Sequence, residues 1–403
     1  MPYGDRGHPS IVRRLRVLVM TPWFPTAQNR VSGVFVLEQV QALLAHHDVV
    51  VLHLRGIDRD PSTKDWWRVE RARGEDAISG VRTYHVWYRP PVSRLGSLFS
   101  VGAAFSAVRQ VARDFPPDLI HAHVYSAGFP AVIVGRWRRG PVVVSEHFTG
   151  FLRGTLSRRD LRQARLAFSW ADRTLPVSHA LQLAIEAHGI RAKFEPLPNV
   201  VDTSVFYPRI EEKTSMSEVA RLLFVGLLDA GHNKGVIDLL RALNDMGRSS
   251  VNWHLDLVGD GPGRPTYEAL AAQLGIADHV TFHGIQPRHR VADLMRRADL
   301  FVHPSHIETF GVVVAESLAS GTPVVATRSG GPEEIVGDDD GRLVAAGDHR
   351  ELAKAISSEL ARTADPQRRT RISQRAADRF SPENVMERLN GIYAEVLRES
   401  TMR

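Results

Sequence analysis

Short apolar runs alternate with longer amphipathic segments along most of the chain. The runs at 15–20, 48–54, 81–88, 118–123, 141–147 and 174–178 have the length and composition of strands. Predicted helices separate most of them, and a second series of the same kind begins with RLLFVG at 221–226. Strands that alternate with helices indicate mostly parallel sheets covered on both faces. The pattern therefore predicts an α/β protein with two successive Rossmann-like halves.

The boundary between the halves is marked by a change in composition. Residues 196–218 contain three prolines and a polar, charged run, which is typical of a domain linker. We predict one domain before this segment and another over 204–382. Residues 56–80 are polar, and we expect an irregular excursion anchored by Trp66 and Trp67.

The densest candidate chemistry lies in HPSHIETFGVVVAESLASGTPVVATRSGG, residues 303–331. Its pattern predicts strand, polar loop, helix and strand, with Glu308 in the loop and Glu316 in the helix. Such a loop lies at the carboxyl end of a parallel strand, where ligands bind in open α/β sheets. The helix start also presents amides and a dipole that suit a phosphate. The alternative is that both glutamates are ordinary helix residues.

Other candidates follow other predicted strands. Gly33 precedes the first helix, where a doubly wound domain lets backbone approach a phosphate. Lys234 lies at the first loop-to-helix step of the second half and would balance a diphosphate. Gly284 and Ile285 end a strand whose backbone groups would pair with a nucleobase. His147 ends a buried strand and is expected to reach a cleft. The alternatives are that Gly33 is an ordinary turn glycine and that Lys234 is a solvated lysine.

Composition limits the possible functions. The 403 residues are 43% hydrophobic and 24% charged, as in a soluble globular protein of two domains. The absence of cysteine excludes disulfides, thiolate metal sites and a cysteine nucleophile. His121 and His123 share a strand face without a third ligand, so we predict no metal. With no apolar run of membrane-spanning length, we expect a cytoplasmic protein.

The positive charge is concentrated in residues 1–200, which contain 27 Lys and Arg against 16 Asp and Glu. This excess predicts an anionic partner, and no nucleic-acid motif is present, so we expect no nucleic acid. Four arginines fall mostly on one face of a predicted helix at 157–171, and they are Arg158, Arg159, Arg162 and Arg165. Peripheral contact with an anionic membrane and an ordinary solvated face both stay open.

Six strings between residues 199 and 336 together resemble glycosyltransferase family 4. They are LPNVVDTSVFYP, FVGLL…KGVIDLL, LVGDGPGR, VTFHGIQP, ETFGVVVAE and SGTPVVATRSGGPEEIV. The N-terminal half is similar more loosely. The resemblance implies a GT-B fold, in which two facing Rossmann-like domains enclose an interdomain cleft. It also implies that a last helix at 383–403 completes an acceptor-binding domain over 1–203, while 204–382 bind a nucleotide sugar.

The resemblance implies a role for each candidate residue. Glu316 would hold ribose hydroxyls, and Glu308 would lie near the donor sugar. Main-chain groups near Gly284 and Ile285 would read the base, and His147 would approach the transferred sugar and the acceptor. The diphosphate would be neutralised by Lys234, Gly33 and the amides of Phe310, Gly311 and Val312.

The implied activity is retaining transfer of a hexose-type unit from a UDP- or GDP-type donor, without cofactor or metal. The acceptor would be a glycan, a lipid-linked saccharide or a small molecule. A GT-B epimerase and a non-catalytic nucleotide-sugar-binding partner subunit remain alternatives. One departure stands out, since the family usually has an arginine after the glycine of FVG, where Leu227 follows Gly226 here. Either Arg264 assists Lys234, or donor binding is weaker, or catalysis is impaired.

Overall fold

The computed structural model describes residues 13–57, 65–78, 80–92, 95–209, 219–246, 252–362 and 366–402. These residues form two units. One extends to Val200 and resumes at Val385, and the other comprises Val201–Asn384. The predicted linker falls partly outside the described residues, at 210–218.

The first unit contains a sheet of seven strands among the described residues. Its strands are β1 (Arg16–Thr21), β2 (Asp48–Ile57), β3 (Trp67–Arg71), β4 (Arg82–Tyr88), β5 (Leu119–His123), β6 (Val142–Glu146) and β7 (Arg173–Pro176). The order is β3-β4-β2-β1-β5-β6-β7, and every neighbouring pair is parallel except β3 with β4. Its helices are α1 (Val34–His46), α2 (Gly96–Val111), α3 (Tyr125–Arg138), α4 (Gly150–Arg153), α5 (Arg158–Trp170) and α6 (His179–Ala187).

Strand β3 corrects the prediction that residues 56–80 are irregular. It pairs antiparallel with β4 at the edge of the sheet, with Trp67 opposite Tyr88. The sequence pattern does not indicate this strand, because an edge strand with both faces partly exposed has no clear apolar alternation. The Trp67 ring lies so close to Gly102 that a Cβ there would be 2.9 Å from it, so this tryptophan does anchor the segment.

The second unit contains six described strands, all parallel. They are β8 (Ala220–Val225), β9 (Trp253–Val258), β10 (Val280–Gly284), β11 (Leu300–His303), β12 (Val324–Thr327) and β13 (Gly341–Val344), in the order β10-β9-β8-β11-β12-β13. Its helices are α7 (Val236–Met246), α8 (Arg264–Gln273), α9 (Arg288–Arg297), α10 (Val312–Ala319), α11 (Pro332–Ile335), α12 (His349–Ala361) and α13 (Pro366–Phe380).

Each sheet has a point where the strand order reverses. The reversal lies between β1 and β5 in the first unit, and between β8 and β11 in the second. The loops that follow the two strands diverge there and leave a crevice at the carboxyl edge. Of the predicted site residues, Gly33 follows β1, Lys234 follows β8 and Glu308 follows β11, so all three follow central strands.

Helix α14 (Pro382–Thr401) ends the described chain and packs against the first unit. Its apolar face, including Leu389 and Tyr393, shares one core with Val17 and Val19 of β1. Arg173 of β7 binds the carboxylate of Glu399 at 2.7 Å and so fixes the end of the helix. The last helix is therefore part of the first unit's core.

Replacing Leu389 with alanine should destabilise the first unit by about 3 kcal/mol, because a fully buried leucine leaves a cavity. Urea unfolding followed by circular dichroism measures the loss. Glu387→Ala, at an exposed position of the same helix, is the matched control. Equal stability of the two variants would contradict the packing of α14 in this core.

Candidate active site

The switch point of the second sheet holds an ion pair. Lys234 follows β8, and its Nζ donates to Oε2 of Glu308, which follows β11, at 2.7 Å. His303 Nε2 and Ser305 Oγ reach the same oxygen at 3.2 and 3.3 Å. Burial opposes ionisation of Glu308, but the Lys234 ammonium and the His303 hydrogen bond prevail and lower the pKa of this carboxyl well below its ordinary value. Glu308 is therefore a carboxylate at neutral pH.

Backbone contacts hold the loops that carry this pair. Asn233 O accepts a hydrogen bond from His306 N at 2.8 Å. Gly235 has φ +67°, and a Cβ there would lie 1.9 Å from Pro304 O, so only glycine allows the loops to approach this closely. Glu308 N donates to Ser329 O at 2.8 Å, which adds the loop after β12. Three strand-end loops thus fix the position of one lysine.

Helix α10 begins beside this pair. Gly311 is its N-cap with φ +92°, and the first helical residue is Val312. Gly311 lies against Glu308, whose Cγ is 3.5 Å from the position of a Cβ. Because the first amides of a helix have no acceptor within it, the amides up to Val312 are placed to bind an anion near Lys234.

The second glutamate has a different environment. Glu316 is buried in the second turn of α10, and its Oε1 lies 3.2 Å from Nη1 of Arg288 at the start of α9. Burial raises the pKa of Glu316 to about 7, and Arg288 opposes this shift. Arg288 also lies over the ring of Phe206, 4.9 Å from its centroid. Sequence reasoning missed this arginine, although its place just after β10 was a usable signal.

The end of β10 presents backbone and one further cation. Gly284 has φ +67°, and Ile285 leaves its side chain 67% exposed. Arg264 approaches Gly284, but its guanidinium is held by Glu268 at 2.7 Å and by Asp260 at 3.4 Å. Leu227, at the position where the family has arginine, is 60% exposed. Among these contacts none joins Arg264 to Lys234, so its assistance to the lysine stays a prediction.

The first unit has a row of histidines at the carboxyl edge of its sheet. His147, just after β6, shares a hydrogen bond with His123 of β5, with Nε2 and Nδ1 3.1 Å apart. His123 stacks on His121 with ring centroids 4.6 Å apart. His121 bonds the Tyr393 hydroxyl at 2.6 Å and Ser145 Oγ at 2.8 Å. The alternation of the DLIHAH string already placed His121 and His123 on one strand face, and the Nε2 atom of His123 is buried without a hydrogen bond among the described residues.

Two features fix the loops around this row. Glu146 is fully buried and accepts hydrogen bonds from the amides of Tyr125, His147 and Phe148 at 2.7–2.8 Å. Val124, directly after His123, has φ +70°, which is a strained conformation for a β-branched residue and costs on the order of 1–3 kcal/mol. Strain maintained by surrounding hydrogen bonds is typical of functional sites.

Gly33 is the N-cap of α1 and has φ +69°. A Cβ there would lie 2.3 Å from Trp23 O, so the close fit to its own chain requires glycine whether or not a phosphate binds. Phe35, two residues later, stacks against His147 with centroids 4.6 Å apart. The structure therefore brings the start of α1 to His147 in one unit, and Lys234, Glu308 and Gly311 together in the other.

The comparisons with known proteins agree with this architecture. The chain is 22% identical to Anabaena Alr3699/HepE, solved in complex with UDP, with a TM-score of 0.71 over 94% of this chain and all of that one. It is 27% identical to the glycogen synthase of Mycobacterium tuberculosis over 95% of each chain. It is 30% identical to the D-inositol 3-phosphate glycosyltransferase of Acidothermus cellulolyticus over 70% of this chain and 68% of that one.

The fold of two parallel-sheet α/β units is that of the GT-B glycosyltransferases. The model for Glycosyltransferase Family 4 matches residues 32–205, and the model for Glycosyl transferases group 1 matches residues 209–379. The chain belongs to glycosyltransferase family 4 and is a transferase of class EC 2.4. No helix in the described part of the chain is both long and apolar enough to span a membrane.

Acidification should destabilise the protein through the histidine row. Burial lowers the pKa of His121 and of His147 from 6.5 to about 3. As the pH falls, the unfolded chain therefore protonates these histidines before the folded chain does. The stability that the two neutral imidazoles contribute is complete above about pH 6.5 and is lost as the pH falls towards 3. Urea unfolding at pH 7, 6 and 5 measures the slope.

The variant His121→Gln should make that slope shallower by about one proton, because one depressed imidazole is removed. His46→Gln, at an exposed position of the same unit, is the control and should keep the wild-type slope. A His121→Gln slope equal to that of wild type would show that this imidazole is not buried in the neutral form.

Proposed function

We propose that this glycosyltransferase moves a hexose-type sugar from a UDP- or GDP-sugar, with retention of anomeric configuration, to a glycan, lipid-linked or small-molecule acceptor. The observation that carries the proposal is the Lys234–Glu308 pair at the switch point of the second sheet, beside the amide end of α10. It combines a fixed cation and orphan amides at one place, which is what a departing diphosphate requires.

The geometry supports a catalytic role for Lys234. The lysine side chain is partly buried and held by Glu308, so little ordering is left to do when a diphosphate arrives. Negative charge grows on the leaving diphosphate as the glycosidic bond breaks. A cation positioned in advance therefore stabilises the transition state more than the ground state. Glu308, near the donor sugar, would keep the lysine directed at the phosphates.

The nucleoside would lie along the strand ends on the other side of α10. Glu316 is the carboxylate for the ribose hydroxyls, and Arg288 holds it in place until a donor binds. Exposed backbone at Gly284 and Ile285 would pair with the base. Support for a nucleotide-sugar donor also comes from Anabaena HepE, a structural relative solved with UDP and with UDP-glucose.

The first unit would handle the sugar and the acceptor. His147 and His123 are neutral at physiological pH, because burial lowers the pKa of both rings, so they would bind hydroxyl groups as hydrogen-bond partners and not as cations. Retention would follow if the acceptor attacks on the face that the diphosphate leaves, with a diphosphate oxygen taking the proton. The anomeric configuration of the product, read by NMR, tests this part.

The basic face of α5 supports a lipid-linked acceptor. Arg158, Arg162 and Arg165 are exposed there, beside a capping box formed by Ser157 and Asp160 that fixes the helix start. An exposed row of arginines is attracted to anionic headgroups, so peripheral membrane contact at this face is part of the proposal.

Leu227 favours a second candidate, a partner subunit that binds nucleotide sugar without transferring it. An exposed leucine in place of the family's arginine removes one diphosphate cation. Binding tolerates this loss better than catalysis does, because the charge that needs the cation develops in the transition state. Product formation from a radiolabelled UDP- or GDP-sugar distinguishes the two candidates.

Replacing Lys234 with alanine should lower the transfer rate on the order of 100-fold, since one preorganised group facing the developing charge is lost. It should also abolish the thermal shift caused by UDP or GDP. Lys354→Ala, an exposed lysine of α12, is the control for loss of one positive charge. Unchanged transfer and nucleotide binding in Lys234→Ala would refute the diphosphate assignment.

Replacing Leu227 with arginine should strengthen UDP or GDP binding by about tenfold, because a charge-assisted contact to phosphate is added at an exposed position. Isothermal titration calorimetry measures the change, and Leu227→Gln, of similar length without charge, is the control. If both variants bind like wild type, the diphosphate does not lie next to this position.

A further inference from the structure

A cavity of about 330 Å³ lies on the first unit, away from the residues discussed above. It is formed where the carboxyl ends of α2 and α3 meet, and it is lined by Val108, Arg109, Ala112, Arg113, Trp137 and Arg138. Its volume is within the range of small-molecule sites, about 300–1,000 Å³. Three guanidinium groups and one indole surround a floor of small apolar side chains.

The cavity is separate from the active site. Helix α2 leads into β5 and helix α3 leads into β6, so their carboxyl ends lie at the amino edge of the parallel strands. His123 and His147 lie at the opposite, carboxyl edge. The five residues of β5 alone separate the two edges by about 15 Å. A ligand in the cavity would therefore not occupy the sugar or acceptor position.

The charge at the cavity is positive and poorly compensated. Neither α2 nor α3 contains an acidic residue. The connection to β5 contains two carboxylates. Asp114 is exposed directly after Arg113, and Asp118 is already bound to the Arg16 amide at 2.7 Å and to the Arg16 guanidinium at 3.3 Å. Arg109 and Arg113 are exposed and make no ion pair with a described residue. An anion would therefore meet several guanidinium groups and few competing carboxylates.

Arg138 is held in position for such an anion. Its Nη2 donates to Pro117 O at 3.2 Å, and the side chain is half-buried. Burial lowers the pKa of this guanidinium, which shows that its charge is incompletely solvated. Guanidinium groups bind phosphate through paired, charge-assisted hydrogen bonds, and a phosphate would supply the missing counter-charge.

One wall of the cavity is aromatic and exposed. Trp137 is 60% exposed, and Phe105 supports it edge-on with ring centroids 5.1 Å apart. Beyond it, Arg136 covers the ring of a second exposed indole, Trp170, at 4.4 Å. Exposed indoles beside arginines are the composition of protein surfaces that sit at the headgroup level of a membrane.

We propose that this cavity binds a phosphate ester, with the phosphate among Arg109, Arg113 and Arg138 and its organic part against Trp137. The chemistry is shared by an anionic phospholipid headgroup and by a soluble ester such as glycerol 3-phosphate. In the first case the cavity is a second membrane contact, independent of the α5 arginines. In the second it is a remote binding site for a metabolite.

The test compares Arg109→Ala/Arg113→Ala with wild type in two assays. Co-sedimentation with vesicles of phosphatidylglycerol and phosphatidylcholine should weaken about 25-fold, on the order of fivefold for each arginine. Titration calorimetry with glycerol 3-phosphate should lose its heat if the ligand is soluble. Arg350→Ala/Lys354→Ala, two exposed basic residues of α12, removes the same charge elsewhere and should change neither assay.

Each outcome decides the proposal. Loss of vesicle binding in the cavity variant, without loss in the α12 control, supports the lipid headgroup. Loss of glycerol 3-phosphate binding alone supports the soluble ester. If the cavity variant changes neither assay, whether or not Arg158→Ala/Arg162→Ala on α5 releases the vesicles, the cavity is not a phosphate site. Its arginines would then only stabilise the carboxyl ends of α2 and α3 through the helix dipole.

Discussion

The second unit depends on one contact, the ion pair between Lys234 and Glu308 across its switch point. Parallel strands on either side of a switch point send their loops in opposite directions, so nothing in the sheet itself holds those loops together. The pair does so, with the backbone contact of Gly235 to Pro304 beneath it. A partly buried pair needs both partners, because a lone charge there would be costly. The proposed donor site and the local stability of these loops would therefore require the same two residues.

The two glutamates of one segment show how position sets charge. Glu308, with a lysine and a histidine at one oxygen, has a lowered pKa, whereas burial raises the pKa of Glu316 to about 7. Glu308 has three fixed partners at one oxygen, whereas Glu316 has Arg288, whose effect on the pKa is outweighed by burial. In the proposed function, hydroxyl groups of the ligand would supply Glu316 with further hydrogen bonds.

The sequence was sufficient to predict the elements with strong periodicity and the residues that lie in loops directly after strands. The parallel strands, helix α1 and the loop position of Glu308 follow from apolar runs and turn residues alone. The prediction that residues 56–80 are irregular was wrong for edge strand β3. This strand forms because it pairs with β4, and its own sequence pattern does not indicate a strand. The partners of the site residues, such as Arg288 for Glu316 and His123 for His147, are distant in sequence. No local rule pairs them.

Leu227 stands where the family usually has an arginine, so a donor site in the second unit would contain one cation fewer. In the proposed donor site, an exposed leucine would neither oppose a diphosphate nor neutralise it, so Lys234 and the amides of α10 would have to neutralise it. Those amides are effective only if Gly311 keeps its left-handed conformation, because that residue turns the loop into the helix. A site with one fixed cation and a helix end still stabilises a dianion, since both are oriented before the ligand arrives. In the proposed site, preorganisation would thus compensate for the smaller number of cations, and the three loops that hold Lys234 would provide it.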